Sequence, residues 1–354
     1  MRTRYILTID GGGVRGLVAA VLLDALDGEL QAAGHDGAIS DCFDVIAGTS
    51  TGAIIAAALA LPQIDNGEKQ LLRGPSGLRD LYRRQSRVIF PPRALPFLPI
   101  LGRLRQLFGP LYSAAPLKGL LDAAFGNASF INPRRNLLIT AYSLDPRDAL
   151  FMRGGPHTPP GDALCTGAVK ISDAVLASTS APTFFPPHKF SNPRTGETFS
   201  AIDGAVFIND PTIAGFAEGL RLFPDDDIRV ISIGTGRIVQ SIPFETARRW
   251  GYLGWVNPGG RFRTPLLSAI SDGQARAVNE HMKKLIGERY QRFDYDLAKG
   301  YGTPTIDDSR PSNIAALERG ALKMAEEMRP RLRAVAKELV ATRKRQTNEQ
   351  SRAL

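Results

Sequence analysis

Three groups of residues in this sequence have types and spacings that can do chemistry. The first is Gly48-Thr49-Ser50-Thr51-Gly52, a GxSxG pattern. A serine becomes a nucleophile when it projects from a sharp turn between a strand and a helix, and such a turn needs small neighbours. Here an apolar stretch, Phe43–Ala47, leads into the turn, and an apolar run, Ala53–Leu61, leaves it and stops at Pro62. The start of that helix would set backbone N–H groups and positive partial charge beside the Ser50 hydroxyl. The second group is Asp10-Gly11-Gly12-Gly13-Val14-Arg15-Gly16. Consecutive glycines leave backbone N–H groups unshielded, so several can face one anion; in ester cleavage that anion is the tetrahedral oxyanion. The third is Asp203-Gly204-Ala205, in which a buried carboxylate near such a site would have a raised pKa and serve as a base. Read separately, each has a plain structural alternative: a turn that packs a helix on a sheet, a tight loop, and an ordinary Asp-Gly turn.

Gly11, Gly13 and Gly16 also satisfy GxGxxG, the dinucleotide-binding fingerprint. That fingerprint requires an acidic residue at the end of a second strand, about 20 residues on. The nearby Asp36 sits in Gly34-His35-Asp36-Gly37, a turn, so the fingerprint is incomplete. No Gly-Lys-Ser/Thr follows the loop, which excludes a P-loop. The order Ser50, Asp203, His281 would suit a Ser–His–Asp triad. His281, however, lies in Val278-Asn279-Glu280-His281-Met282-Lys283-Lys284, which reads as the middle of a helix.

The elements that must position these groups alternate in type. Strand Tyr5–Ile9 precedes the glycine loop, and Leu17, Val18, Val21, Leu22, Leu26 and Leu30 recur at helical spacing after it. Strands are expected at Asn136–Tyr142, Leu150–Arg153, Thr198–Ile202 and Ile228–Ile233. Helices are expected at Ile171–Ser178, from about Pro211, at Pro265–Ile286 and from Ser312 to about Thr342. Alternating strands and helices predict an α/β fold with a mostly parallel sheet covered on both faces, whose site lies beyond the carboxyl ends of the strands. Residues 62–135 are rich in proline and arginine and read as an insertion over the core. Arg343–Leu354 reads as a frayed polar tail.

The chain has 354 residues, a net charge of +9 and 43% hydrophobic residues. It is long enough for a large α/β domain, and its charge would draw it to anionic partners without choosing among them. The two cysteines and four histidines show no disulfide framework and no metal-ligand spacing, so neither a metal nor a cofactor is expected. The opening residues are too short for a signal segment, and no run reaches the length of a membrane span.

The three groups, in this order, resemble the patatin-like phospholipase family, whose signature is a DGGGxRG loop, then GxSxG, then DG[GA]. The segment Ala177–Pro187, Asn209-Asp210-Pro211, Trp250–Trp255 and Asp272-Gly273-Gln274 add to the resemblance, which covers about residues 5 to 300. Ala205 stands where many members have glycine. The resemblance implies a three-layer α/β/α patatin-like fold at 1–300, followed by a helical extension at 301–354. It implies a lipid acyl hydrolase of the phospholipase A or lysophospholipase type. In it Ser50 and Asp203 form a catalytic dyad, and Gly11, Gly12 and Gly13, braced by Arg15, form the oxyanion hole. A storage or ligand-binding protein on the same scaffold, and a Ser–His–Asp esterase using His281, are the alternatives.

The expected partner is a phospholipid or another acyl-ester lipid, not a nucleic-acid polymer. The expected setting is the cytoplasm, with peripheral contact to the inner membrane during activity. Two segments offer themselves for that contact. One is the insertion, with Arg73, Arg79, Arg83, Arg84, Arg87, Arg93, Arg103, Arg105 and Lys118 around Leu95–Leu101; the other holds Trp250, Tyr252 and Trp255. In size and in its carboxy-terminal half the chain also resembles bacterial antiphage effectors that cyclic dinucleotides switch on. That makes a cyclic dinucleotide a candidate activator, with the basic insertion as a place for its phosphates.

Overall fold

The computed structural model describes residues 1–62, 74–91, 109–159, 166–237, 241–256, 265–294, 296, 301–303 and 305–353, with side chains up to 349. Eight strands form a single mixed sheet: β1 Thr3–Ile9, β2 Val45–Thr49, β3 Asn136–Ser143, β4 Asp148–Gly154, β5 His188–Ser191, β6 Thr198–Asp203, β7 Asp227–Ile233 and β8 Tyr290–Phe293. Their order is β5-β6-β3-β2-β1-β7-β8, with β4 on β3. The pairings β1–β2, β1–β7, β2–β3 and β7–β8 are parallel, whereas β3–β4, β3–β6 and β5–β6 are antiparallel. The sheet is thus mostly parallel, as its alternating sequence implies.

The pleat of β1 divides the core. Tyr5, Leu7 and Ile9 point into one apolar cluster and Ile6 into another, because successive strand side chains face opposite ways. On the first face lie α1 Gly16–Ala32, α2 Thr51–Ala60, α3 Gly74–Ile89, α4 Ala115–Phe125 and α5 Ile171–Thr179. On the other lie α6 Thr212–Leu222 and α7 Pro265–Ile286, which bring Phe216, Val278, Met282 and Ile286 against Ile6, Val45 and Val230. This is the expected α/β/α layering.

The last helix, α8 Pro311–Ala353, packs along the outside of α1. Every residue from Gly16 to Leu23 is consequently buried. The sequence reading gives α1 one apolar face; the structure covers it on both sides, by the sheet and by α8. Glu29 near its end is held by Arg329 and Arg333 of α8, at 2.8 and 2.9 Å. The expected frayed tail is instead helical to Ala353. Arg343 reaches Asp44 at 3.0 Å and Gln346 donates to the Thr3 carbonyl at 2.8 Å, which fastens the end to the body.

The insertion also differs from its reading as a cover with little periodicity. Its α3 is amphipathic and buries Leu78, Leu81, Tyr82 and Ile89 in the main core. Two of its cations reach acids outside the segment: Arg79 pairs with Glu318 at 2.7 Å and Asp24 at 3.3 Å, and Arg83 with Glu318 at 3.5 Å; Arg83 and Arg84 also lie 3.6 Å from Asp80 within it. Within the segment Lys118 pairs with Asp122 at 2.5 Å. Arg73, Arg93, Arg103, Arg105 and the apolar run Leu95–Leu101 lie outside the described residues.

Candidate active site

Two backbone features set Ser50. β2 ends at Thr49 and α2 begins at Thr51, so a single residue makes the whole turn. Ser50 takes φ 55° and ψ −124°, a strained conformation for a residue with a side chain. The surroundings hold it there: the Ser50 N–H donates to Ser178 Oγ at 2.9 Å, and the Thr49 hydroxyl meets Thr140 Oγ1 at 2.7 Å. Gly52 lets α2 start against β1, since a Cβ at that position would overlap the Ile9 carbonyl oxygen. The result is a hydroxyl turned off the end of the sheet.

Sheet register brings Asp203 to it. β4 pairs along β3 from Leu137 to Ser143, so β2 and β6 share the other edge of β3. Thr49 pairs with Thr140, and Asp203 pairs with Ala141. β6 therefore takes up the edge where β2 leaves it. Ser50 Oγ donates to Asp203 Oδ2 at 2.6 Å, and the Ala205 N–H donates to Asp203 Oδ1 at 2.8 Å. Asp203 is 2% exposed and Ser50 9%. Burial pushes the Asp203 carboxyl up to about 7, against the opposing hydrogen bonds from Ser50 and Ala205.

The glycine loop crosses the same end of the sheet. The Gly11 N–H is committed to the Asn209 carbonyl at 3.0 Å and the Val14 N–H to the Ile306 carbonyl at 2.8 Å. That engages the Gly11 N–H expected as an oxyanion donor, whereas Gly12 and Gly13 line the cavity over Ser50. Gly13 has φ +58°, and a Cβ on it would overlap the Ile306 carbonyl oxygen. Arg15 turns back beneath the loop, donating to the Gly12 carbonyl at 3.4 Å and the Gly236 carbonyl at 3.2 Å.

A cavity of about 220 Å³ opens over these groups. Its walls are mainly apolar and include Ile54, Ile89, Phe90, Leu117, Phe184, Phe185 and Leu267. Such a lining accepts a hydrocarbon chain and leaves few competitors for the polar groups at its floor.

Neither of two histidines, His281 and His188, lines the cavity. His281 is exposed on α7, its Nδ1 against the Ala277 carbonyl at 2.6 Å. His188 is on β5, and its Nε2 lies 2.9 Å from Asp173.

The family profile described as "Patatin-like phospholipase" matches residues 7–215, more than half of the chain, and spans the glycine loop, Ser50 and Asp203. The chain belongs to the patatin-like phospholipase family. It is thereby an enzyme of the carboxylic ester hydrolase class. "Patatin-like protein 1" of Arabidopsis thaliana is 32% identical over 346 residues, covering 90% of this chain and 80% of that protein. "Patatin-like protein 2" of Oryza sativa subsp. indica is 30% identical, covering 87% and 80%. "cGAMP-activated phospholipase" of Vibrio cholerae is 29% identical, covering 91% and 90%.

Sequence reasoning missed two residues that support this patatin-like site. Arg292 of β8, its side chain 10% exposed, grips Asp10, the first residue of the glycine loop, through both carboxylate oxygens at 2.5 and 3.1 Å. It also reaches Asp210 at 2.9 Å and Asp294 at 3.1 Å. Burial pulls the guanidinium pKa down, but the three carboxylates outweigh it and hold Arg292 charged. Its signal in the sequence is slight: one arginine in the short run Tyr290-Gln291-Arg292-Phe293. Tyr82 of α3 was equally unforeseen. Its hydroxyl meets Thr51 Oγ1 and donates to the Thr51 carbonyl at 3.2 Å, anchoring α3 to the first turn after the serine.

Proposed function

We propose that this protein hydrolyses acyl esters of membrane phospholipids through a Ser50–Asp203 dyad. The observation that carries the reading is the direct 2.6 Å hydrogen bond between Ser50 Oγ and Asp203, beneath an apolar cavity and beside the glycine loop. Ser50 Oγ attacks the ester carbonyl carbon while its proton passes to Asp203 Oδ2. The charge on the carbonyl oxygen is met by the Gly12 and Gly13 N–H groups, with Arg15 and Arg292 fixing the loop that carries them. Collapse breaks the ester bond, and Asp203 returns the proton to the departing alcohol oxygen. Water, deprotonated by Asp203, then attacks the acyl-enzyme, releases the fatty acid and restores Ser50.

The donor is a phospholipid at an anionic surface, which suits the net charge of +9. Full-length likeness to the Vibrio cholerae relative supports a further element: a cyclic dinucleotide raises the activity, in an antiphage setting. The intact serine, aspartate and glycine loop favour an enzyme over a storage protein on the same scaffold.

Mass spectrometry of the products released from phosphatidylglycerol vesicles, with and without cGAMP, tests the reading. Free fatty acid and lysolipid are expected from the parent, more with cGAMP, and none from Ser50→Ala. Lipid cleavage by Ser50→Ala at the parental rate would overturn it. Equal rates with and without cGAMP would remove the activation.

A further inference from the structure

Both tryptophans of the chain, Trp250 and Trp255, lie in one short segment, residues 241–256, between β7 and α7. The segment consists of two helical turns, Phe244–Ala247 and Tyr252–Val256, and none of its residues is buried. Phe244 is 75% exposed, Tyr252 79% and Leu253 65%. The start of α7 adds exposed Leu266 and Ile270. Monomeric proteins seldom gather large apolar side chains on their surface without a use for them. The two indoles pack edge to face at 5.2 Å, so the segment has packing of its own.

The patch borders the catalytic cavity. Ile242 from the segment, and Pro265 and Leu267 from the start of α7, line that cavity together with Ser50. Cations flank it: Arg248, paired with Glu245 of the same turn at 2.5 Å, and Arg249 are both exposed within the segment. Further along α7, Arg276 and Lys283 join Arg237 and Arg331 around a groove that shares a wall with the cavity. Exposed aliphatic tips, amphipathic aromatic rings and neighbouring cations form the composition that settles at an anionic lipid surface. Access argues for the same occupant. An acyl chain must pass from the bilayer to Ser50, and a mouth resting on the membrane spares it a passage through water.

We propose that residues 241–256, with the first turns of α7, dock the cavity mouth onto an anionic phospholipid bilayer. The assignment rests on the lipid-hydrolase reading and names the surface through which its substrate arrives. It also moves the expected contact away from the insertion, whose Arg79 and Arg83 are engaged with acids of the body.

Tryptophan fluorescence tests this directly, because both indoles lie in the segment. The full chain carrying Ser50→Ala, which leaves the vesicles intact, is mixed with phosphatidylcholine vesicles with and without phosphatidylglycerol. A blue shift with the anionic vesicles, quenching by brominated acyl chains and reversal at high salt are expected. Protein that sediments with these vesicles without any change in emission would overturn the proposal. In a second arm, Tyr252→Ser/Leu253→Ser is compared with the parent on vesicle lipid and on a soluble short-chain p-nitrophenyl ester. Vesicle hydrolysis should fall by about tenfold or more while ester hydrolysis stays within about twofold. Equal losses on both substrates would make the segment a cavity wall and sink the docking role, as would undiminished vesicle hydrolysis. The fluorescence arm needs no turnover, so a parent chain that proves inactive on lipid while Ser50→Ala still shows the shift would count against the lipid-hydrolase reading and not against docking.

Discussion

Asp203 stands on the edge of β3 in the place directly after the one that Thr49 holds. Thr49 pairs with Thr140 and Asp203 with Ala141, on strands that approach from opposite directions. One strand thus leads into the serine and the other ends in the carboxylate. Backbone pairing sets their meeting, and the hydroxyl reaches the carboxylate at 2.6 Å without an intervening imidazole. Several consequences can be measured.

Activity should follow the ionisation of Asp203. Burial holds its carboxyl at about 7, and only the ionised form can accept the serine proton. On a soluble ester, kcat/KM should rise with pH, reach half its plateau near pH 7 and stay level above it. An ascending limb near pH 4 would show that another base, or a solvated carboxylate, does the work.

The same shift governs stability. The folded protein binds the Asp203 proton more tightly than the unfolded chain, where aspartate titrates near 3.9. The stability it contributes is full below about pH 4 and is lost as pH rises through about 7. Asp203→Asn should lack this loss, so its melting temperature should gain on the parent from pH 5 to pH 8. Parallel melting curves across that range would contradict the raised pKa.

Gly13→Ala should damage catalysis more than binding. Its positive φ and the nearby Ile306 carbonyl leave no room for a methyl group. Displacement of the loop should cost about 100- to 1000-fold in kcat, as loss of an oxyanion donor does. KM on the soluble ester should change little. Near-parental kcat would remove Gly12 and Gly13 from the oxyanion hole.

Arg292→Met should be strongly destabilising. It leaves the buried Asp10 and Asp210 and the partly buried Asp294 without their common cation. Removing one partner of a buried ion pair costs about 3–5 kcal/mol. Urea unfolding should show a loss of that size, and adding Asp10→Asn should return part of it. A loss below about 1 kcal/mol would mean that the cluster is open to water.

Much of this site was legible in the sequence because its parts are local. The glycine run, the GxSxG turn and the Asp-Gly step each sit at the end of a strand whose apolar pattern is plain, and each needs small residues close by. Arg292 was not legible, since its partners Asp10 and Asp210 are far away in the chain and only folding joins them. The short strands β5 and β8 escaped notice for a related reason: four residues each give too little pattern. The use of the Gly11 N–H by Asn209 depends on the approach of two loops, which no local motif encodes. α1 misled because its apolar face was read without the distant α8 that covers its other side.

The central claim is that Ser50 is the nucleophile and Asp203 its only base. Labelling with a fluorophosphonate, followed by intact-mass measurement and peptide mapping, tests it most directly. One adduct is expected, on Ser50, and none in Ser50→Ala. Asp203→Asn should label about 100- to 10,000-fold more slowly, and His281→Ala at the parental rate. An adduct on another residue, or parental labelling of Asp203→Asn, would contradict the dyad.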